Sequence, residues 1–475
     1  MPLSIELAAA RVGALTPRDI LARLNDRYKL LQTRASHLPE RQRALTGAVE
    51  WSVDLLAEAD RDLFARLSVF SGGFTIDAAE AVCDDGSGDI DVLEGVHELR
   101  RHSLLRGETE AGAQRVRFSF LTFLREYAAR LLASDGGQAA ADLRARHARF
   151  YLDYAEERAG GVRTEREPAA LADLARELDN VRAALDYAAG AGDGVLLARL
   201  TLAAEPALHR RGYWAELEGW LNDAIAAADR LPDDAPEAPR LRAVLRARLA
   251  ALDHDQGDSA PSAANARDAL ARFEALGDDA GRAEMRNLLG LLALADKDFE
   301  AAADHFEGSL ALRHPDDHAG CSLPMYNLAW LASLTGDQDG ARRRYEESLE
   351  RQRQAGDRRL QARTLGNLGA VAYRCGDYAE ADRLYRESLA LHRELGDTEG
   401  IATTLYNLAE LAEEAGDAPR AVMLLVHAER LFREIGSALA GAPGEALARL
   451  SEKMGDGPFR AAKEMAVCSE WEALC

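Results

Sequence analysis

Lysine is nearly missing from this chain: its 475 residues contain Lys29, Lys297, Lys453 and Lys463 and no others. A phosphate-cradling GxxxxGK(S/T) loop requires a glycine before its lysine, and these four follow Tyr28, Asp296, Glu452 and Ala462. The sequence therefore holds no Walker-type loop. The five cysteines (Cys83, Cys321, Cys375, Cys468 and Cys475) are odd in number and form no CxxC pair, which argues against a disulfide framework or a zinc ribbon. No apolar run approaches the roughly 18 residues of a membrane span. The opening MPLSIELAAARV is interrupted by Glu6 and lacks the basic start of a signal peptide, so a cytoplasmic protein with no membrane partner is expected. GxSxG, HExxH and GxGxxG are absent as well. The one metal-like cluster is HPDDHAGC, with His314, Asp316, Asp317, His318 and Cys321. Pro315 breaks any helix that would align its histidines, and a polar turn accounts for it, so no metal is expected. A net charge of −22 repels polyanions and disfavours nucleic acid as a partner.

What the sequence does have is periodicity. Gly336, Gly356, Gly376, Gly396, Gly416 and Gly436 stand 20 residues apart, and all but the last precede Asp. Between them run amphipathic stretches such as YAEADRLYRESLALHREL, long enough for helices that each end at a glycine. Two helices make a 40-residue unit, and Asn287, Asn327, Asn367 and Asn407, each followed by Leu, repeat at that interval. In the clearest unit Leu368, Gly369, Ala372, Gly376, Ala381, Tyr385 and Ser388 put small residues where two helices cross. This spacing resembles the tetratricopeptide repeat in a long-helix form. Four units are expected between about Arg282 and Ala440, with a weaker one from Arg248 and a degenerate one around LHRRGYWAELEGW. Unit one carries an extra residue before Phe299, and the tail from Gly441, with Trp471, breaks the period and is expected to cap the stack.

By that resemblance, the first helix of each unit lines a concave face that takes a protein or peptide. Candidate contacts there are Asn287, Asn327, Asn367 and Asn407 with Tyr326, Trp330, Tyr373, Tyr406, Glu410 and Glu413. The recurring asparagines fit two roles equally, bonding a ligand backbone or satisfying polar groups between neighbouring helices.

The N-terminal half reads differently. RQRALTGAVEWSVDLLAEADRDLFARLSVFSGGFTIDAAEAVC gives three helical patterns with SGG as a breaker. A further helix from about Val92 leads to Leu104–Arg106, a polar turn and Val116–Phe120, whose alternation predicts a two-stranded wing. These stretches, with PLSIELAAARVGALTPRDILARLNDRYKLL, RVRFSFLTFLREYAARLL and ELDNVRAALDYA, resemble the C-terminal half of bacterial STAND signal-transduction ATPases, which join an NB-ARC-like nucleotide domain to a winged helix and tetratricopeptide repeats. In that family a Gly-Leu-Pro-Leu motif puts its proline near adenine, which Pro2 would match without the preceding Gly-Leu. A hydrophobic-Leu-Glu or Met-His-Asp motif in the winged helix reads the nucleotide state and would map to Phe120-Leu121-Thr122, so Thr122 replaces the polar reader.

The expected fold is thus all-α with a small β wing, a winged helix followed by a tetratricopeptide α-solenoid. Residues 1–38 would be a lid-like remnant of the nucleotide module, 39–135 the winged helix, 136–235 a helical connector, 236–440 the superhelix and 441–475 a cap. The expected role is non-catalytic: the sensor half of a STAND-type regulator whose repeats bind a protein or peptide, with no cofactor unless a separate nucleotide domain supplies ADP or ATP. The alternatives are a remnant that switches only with such a domain, or a transcription factor whose winged helix contacts DNA through Arg100 and Arg101.

Overall fold

The computed structural model describes residues 49–50, 52–84, 86, 88, 90–109, 116–134, 137–162, 167–468 and 471. The lid-like segment, with Pro2, lies outside them. The chain divides into two compact units, Met1–Asp153 with Asp179–Tyr187, and Tyr154–Leu178 with Ala188–Cys475.

In the first unit, helix α1 (Glu58–Arg66), α2 (Ile76–Cys83), α3 (Val92–Arg101) and α4 (Thr122–Ser134) surround the hairpin β1 (Arg106–Thr109) and β2 (Val116–Ser119). Local chemistry sets the starts of two of these helices. The Thr75 hydroxyl accepts from Ala78 N at the head of α2, and the Asp91 carboxylate accepts from Glu94 N at the head of α3. The hairpin is antiparallel, pairing Arg106 with Ser119 and Thr109 with Val116. Its first strand begins at Arg106 and not at Leu104. Leu104 and Leu105 instead return their N–H groups to Leu99 O after Ser103 turns left-handed at φ 60°, so they finish α3. Phe74 adds an antiparallel bridge to Phe118, which makes the SGGF stretch a third edge of the sheet as well as a breaker. Leu63, Phe64, Leu67, Phe70, Phe74, Leu99 and Phe118 fill the core. The unit continues into α5 (Gly137–Ala159).

The second unit holds α6 (Glu167–Arg176) and the ends of α7 (Leu178–Ala191), then a stack of antiparallel helix pairs. The pairs are α8 (Gly194–Arg210) with α9 (Trp214–Asp229), α10 (Ala238–Gln256) with α11 (Ser259–Leu276), α12 (Asp279–Ala295) with α13 (Phe299–Ala311), α14 (His318–Leu334) with α15 (Gln338–Ala355), α16 (Arg358–Arg374) with α17 (Tyr378–Leu395), and α18 (Thr398–Glu414) with α19 (Ala418–Glu434). The recurring Gly-Asp does two jobs. The glycine takes the left-handed conformation that ends one helix, as at Gly356 (φ 72°), and the next Asp caps the following helix, as Asp357 does by accepting from Leu360 N at 2.9 Å. In two of the pairs a glycine on the first helix receives an aromatic ring from the second: a Cβ on Gly290 would lie 2.5 Å from the Phe306 ring and one on Gly369 2.6 Å from the Tyr385 ring. Serines tie the pairs further, with Ser309, Ser348 and Ser388 donating to Ala283, Ser322 and Ala362 carbonyls at 2.7–2.9 Å. The last helices, α20 (Gly441–Met454) and α21 (Asp456–Cys468), pack on α19 and bury Leu447, Leu450 and Trp471 in the core of the final repeats.

Candidate partner-binding face

Successive first helices approach one another, α10 with α12, α12 with α14, α14 with α16 and α16 with α18, whereas the second helices do so less. The first-helix side is therefore the inner, concave one.

The asparagines on it are not equivalent. Helix caps give the register: Asp278 and Asp317 are 39 residues apart, Asp317, Asp357 and Asp397 are 40 apart. Lys297, left-handed at φ 62°, likewise stands 39 residues before Gly336, in the place of its glycine. The extra residue expected before Phe299 is therefore not there: Asp278 and Asp298 are 20 apart like Asp317 and Asp337, unit one is one residue short between Asp298 and Asp317, and Asn287 stands nine residues past its cap where Asn327 stands ten past its own. Asn287 occupies the position of Tyr326 and Tyr406, and Leu288 occupies that of Asn327, Asn367 and Asn407. The uniform 40-residue run of asparagines expected from the sequence is a run of three.

Their engagements differ too. Asn327 is buried and donates from Nδ2 to Asn287 Oδ1 at 2.9 Å. Asn367 donates to the Tyr326 and Tyr345 hydroxyls at 2.8 and 3.1 Å, while those rings meet edge-on at 5.6 Å and Arg363 lies over Tyr326. Asn407 is half-buried, and its side chain makes no hydrogen bond among the described residues. Around it stand Tyr406, which bonds Glu410, and Glu413, which faces Lys453 at 3.4 Å and Arg449 at 3.9 Å. The Tyr373 ring lies 5.6 Å from that of Tyr378, and its hydroxyl is 3.5 Å from Glu414. Burial and the Glu414 and Glu410 carboxylates push the Tyr373 phenol up to about 12. Burial likewise raises Glu410, against the Tyr406 hydrogen bond and Arg449. On α14, Trp330 is exposed, together with Leu323 and Leu334 on the same stripe.

In the winged helix, Thr122 opens α4 and lines a cavity of about 270 Å³ with Phe70, Gly72, Gly73, Phe74, Ser119, Phe120 and Arg125. The Arg125 guanidinium at this cavity bonds the Ser71 hydroxyl at 2.8 Å and Phe70 O. Arg100 and Arg101 are both exposed; Arg100 leans over the Phe118 ring at 5.8 Å and Arg101 pairs with Glu98 at 2.6 Å. The helix that carries them also presents Glu94 and Glu98. In the HPDDHAGC turn, Asp317 caps α14 and Cys321 is buried, and among the described residues no group of His, Cys, Asp or Glu forms a metal cage.

One residue with a decisive local role was quoted in the sequence without an assignment. Asn180, wholly buried in the part of α7 that belongs to the first unit, accepts from Ser71 N at 2.7 Å and donates to Gly73 O at 2.8 Å, with His147 at 3.4 Å. A polar residue on the buried stripe of a helix was the signal that could have found it.

Residues 56–133 match the winged helix-turn-helix domain family, and residues 281–354 and 360–434 match the tetratricopeptide repeat family. The chain is a winged-helix tetratricopeptide-repeat protein. A protein of Mycobacterium tuberculosis, classed by name only as an HTH-type transcriptional regulator, is 30% identical to this winged-helix repeat protein over 366 residues, which are 75% of the chain and 40% of the relative. An uncharacterized protein of the same organism is 39% identical over 140 residues, 29% of the chain and 35% of that relative. The chain thus spans well under half the length of the curated relatives it matches. Among solved structures, the STAND protein with a tetratricopeptide repeat sensor from Pyrococcus horikoshii shares the fold, with a TM-score of 0.57 at 14% identity, over 99% of this chain and 69% of that one. Among the described residues no helix is long and apolar enough to cross a membrane.

Proposed function

We propose that this winged-helix repeat protein is the sensing portion of a signalling regulator, in which the inner face of the repeats takes an extended cationic peptide or protein segment and the winged helix passes the event on without catalysis. The observation that carries the reading is the unengaged Asn407 amide, which shares α18 with Tyr406, Glu410 and Glu413 on the face that the first helices line. An amide free to bond a peptide backbone, beside aromatic rings and carboxylates, suits lysine or arginine side chains. The apolar stripe of Leu323, Trp330 and Leu334 offers an adjoining anchor. Selecting displayed random peptides on the full chain should enrich basic sequences that contain an apolar residue. The same selection on an Asn407→Ala, Glu410→Ala variant should lose that enrichment, and identical pools from both would overturn the reading.

No ADP or ATP is proposed as a ligand of this chain alone, because the sequence has no GxxxxGK(S/T) loop. Equilibrium dialysis against labelled ADP should show no retention. Direct DNA contact is a second reading, favoured by the class name of the mycobacterial relative. It predicts a gel shift at low salt that is lost on replacing Arg100 and Arg101 by Ala, and no shift with either protein removes it.

A further inference from the structure

The turn at His314–Asp317 borders a cavity of about 260 Å³ at the junction of α13, α14 and α15, built from none of the residues of the inner face. Three guanidiniums line it, those of Arg313, Arg344 and Arg351, over an apolar floor that includes Met325 and Leu328.

The repeat register shows how unusual this lining is. Helices α15, α17 and α19 start at Gln338, Tyr378 and Ala418, so Arg344 aligns with Leu384 and Leu424, and Arg351 with Leu391 and Leu431. Those leucines are buried or half-buried against the core. At this junction alone of the three, two plugging leucines are replaced by cations. The charges around the cavity do not cancel. Arg313 lies 3.5 Å from Asp317, and Arg351 bonds Pro315 O at 2.6 Å with Glu347 at 3.9 Å, while Arg344 has no ion-pair partner among the described residues. Three cations therefore face two carboxylates in a chain whose net charge is −22.

We propose that this cavity binds a small organic carboxylate with a short branched apolar chain, the chain resting on Met325 and Leu328 and the carboxylate received by Arg344 and Arg351. A guanidinium fork matches a carboxylate in two parallel hydrogen bonds; Arg351 is half-buried and Arg344 exposed, so the carboxylate end stays toward solvent while the apolar chain enters. The volume falls just below the usual range of roughly 300–1,000 Å³ for drug-sized ligands, which restricts the occupant to the size of one amino-acid residue. A free short-chain acid and the C-terminal residue of a peptide present the same group.

The test is calorimetric titration of the full chain with 4-methylpentanoate, 4-methylpentanamide, a pentapeptide ending in leucine, its C-terminal amide, and inorganic phosphate. Saturable binding of the acid, of the free-carboxylate peptide or of both is expected, at least tenfold tighter than the matching amide and than phosphate. The acid and peptide arms identify the source. Arg344→Leu with Arg351→Leu installs the residues of the neighbouring repeats and should abolish binding with helical content unchanged. Glu347→Gln removes a competing carboxylate and should tighten binding, which keeps a readout if the double variant does not fold. Equal affinity for acid and amide, phosphate binding as tight as the acid, no binding of either carboxylate, or unchanged affinity in these variants would overturn the proposal.

Discussion

Asn180 shows how much one buried amide can organise. It satisfies the Ser71 N–H and the Gly73 carbonyl at once, where Gly73 is left-handed (φ 111°) and a Cβ would come within 2.8 Å of Phe118 O. Replacing it by Ala leaves the half-buried Ser71 N–H without this partner, while Gly73 O keeps the Arg117 guanidinium at 3.1 Å, at about 1–3 kcal/mol. Urea denaturation of Asn180→Ala should register that loss in the first unit, with amide exchange accelerated at residues 71–74. The sequence could display the residue and not its work, because its partners lie 107 and 109 positions upstream. Asp397 makes a prediction of another kind. Its hydrogen bond to His392 at 2.8 Å and its cap on Gly400 N lower its pKa from 3.8 to about 2. A carboxylate depressed on folding stabilises above its unfolded value, and that stability is lost as pH falls from about 4 towards 2, of the order of 2 kcal/mol. Asp397→Asn should flatten the acid limb of the stability curve across that window, measured by denaturant midpoints at successive pH values.

Among the elements, the repeat boundaries were the legible part, since the left-handed glycine and the capping aspartate act within four residues of each other. Phase between units was not legible. Counting asparagines gave an even interval, but unit one is one residue short between Asp298 and Asp317, so Asn287 and Asn327 fall on different positions of their helices, and only the caps at Asp278 and Asp317 reveal it. The wing illustrates the same limit, since Leu104 and Leu105 alternate like a strand yet are held by Leu99 O. Lys297 occupies a left-handed site that its counterparts fill with glycine, and a non-glycine residue there costs roughly 1–2 kcal/mol. Lys297→Gly should therefore raise the thermal midpoint. Gly369→Leu should lower it, because the added side chain meets the Tyr385 ring and overpacking of this kind costs typically 1–3 kcal/mol. Differential scanning of the two variants beside the parent chain checks both signs.

For the molecule as a whole, charge sets the terms of association. A surplus of 22 negative charges favours encounter with cationic segments, so affinity for a basic peptide should fall as salt rises past the Debye regime, about 8 Å at 0.15 M. Rates from stopped-flow mixing at several ionic strengths should carry most of that dependence in association. The final repeat is covered by α20 and α21, and removing residues 441–475 would uncover the α19 face on which Leu447, Leu450 and Trp471 are buried. Light scattering should show more self-association in the shortened chain than in the full chain. The slip at unit one also sets a length. Asparagine stands at the same inner position in only three consecutive units, and packed helices lie about 8–10 Å apart, so two such steps cover roughly 16–20 Å. At about 3.3 Å per extended residue this corresponds to five or six residues of ligand. Along that span Asn327 is buried on Asn287 and Asn367 is held by two tyrosine hydroxyls, so a bound backbone meets one open amide, Asn407, and the other two serve to lock neighbouring helices together.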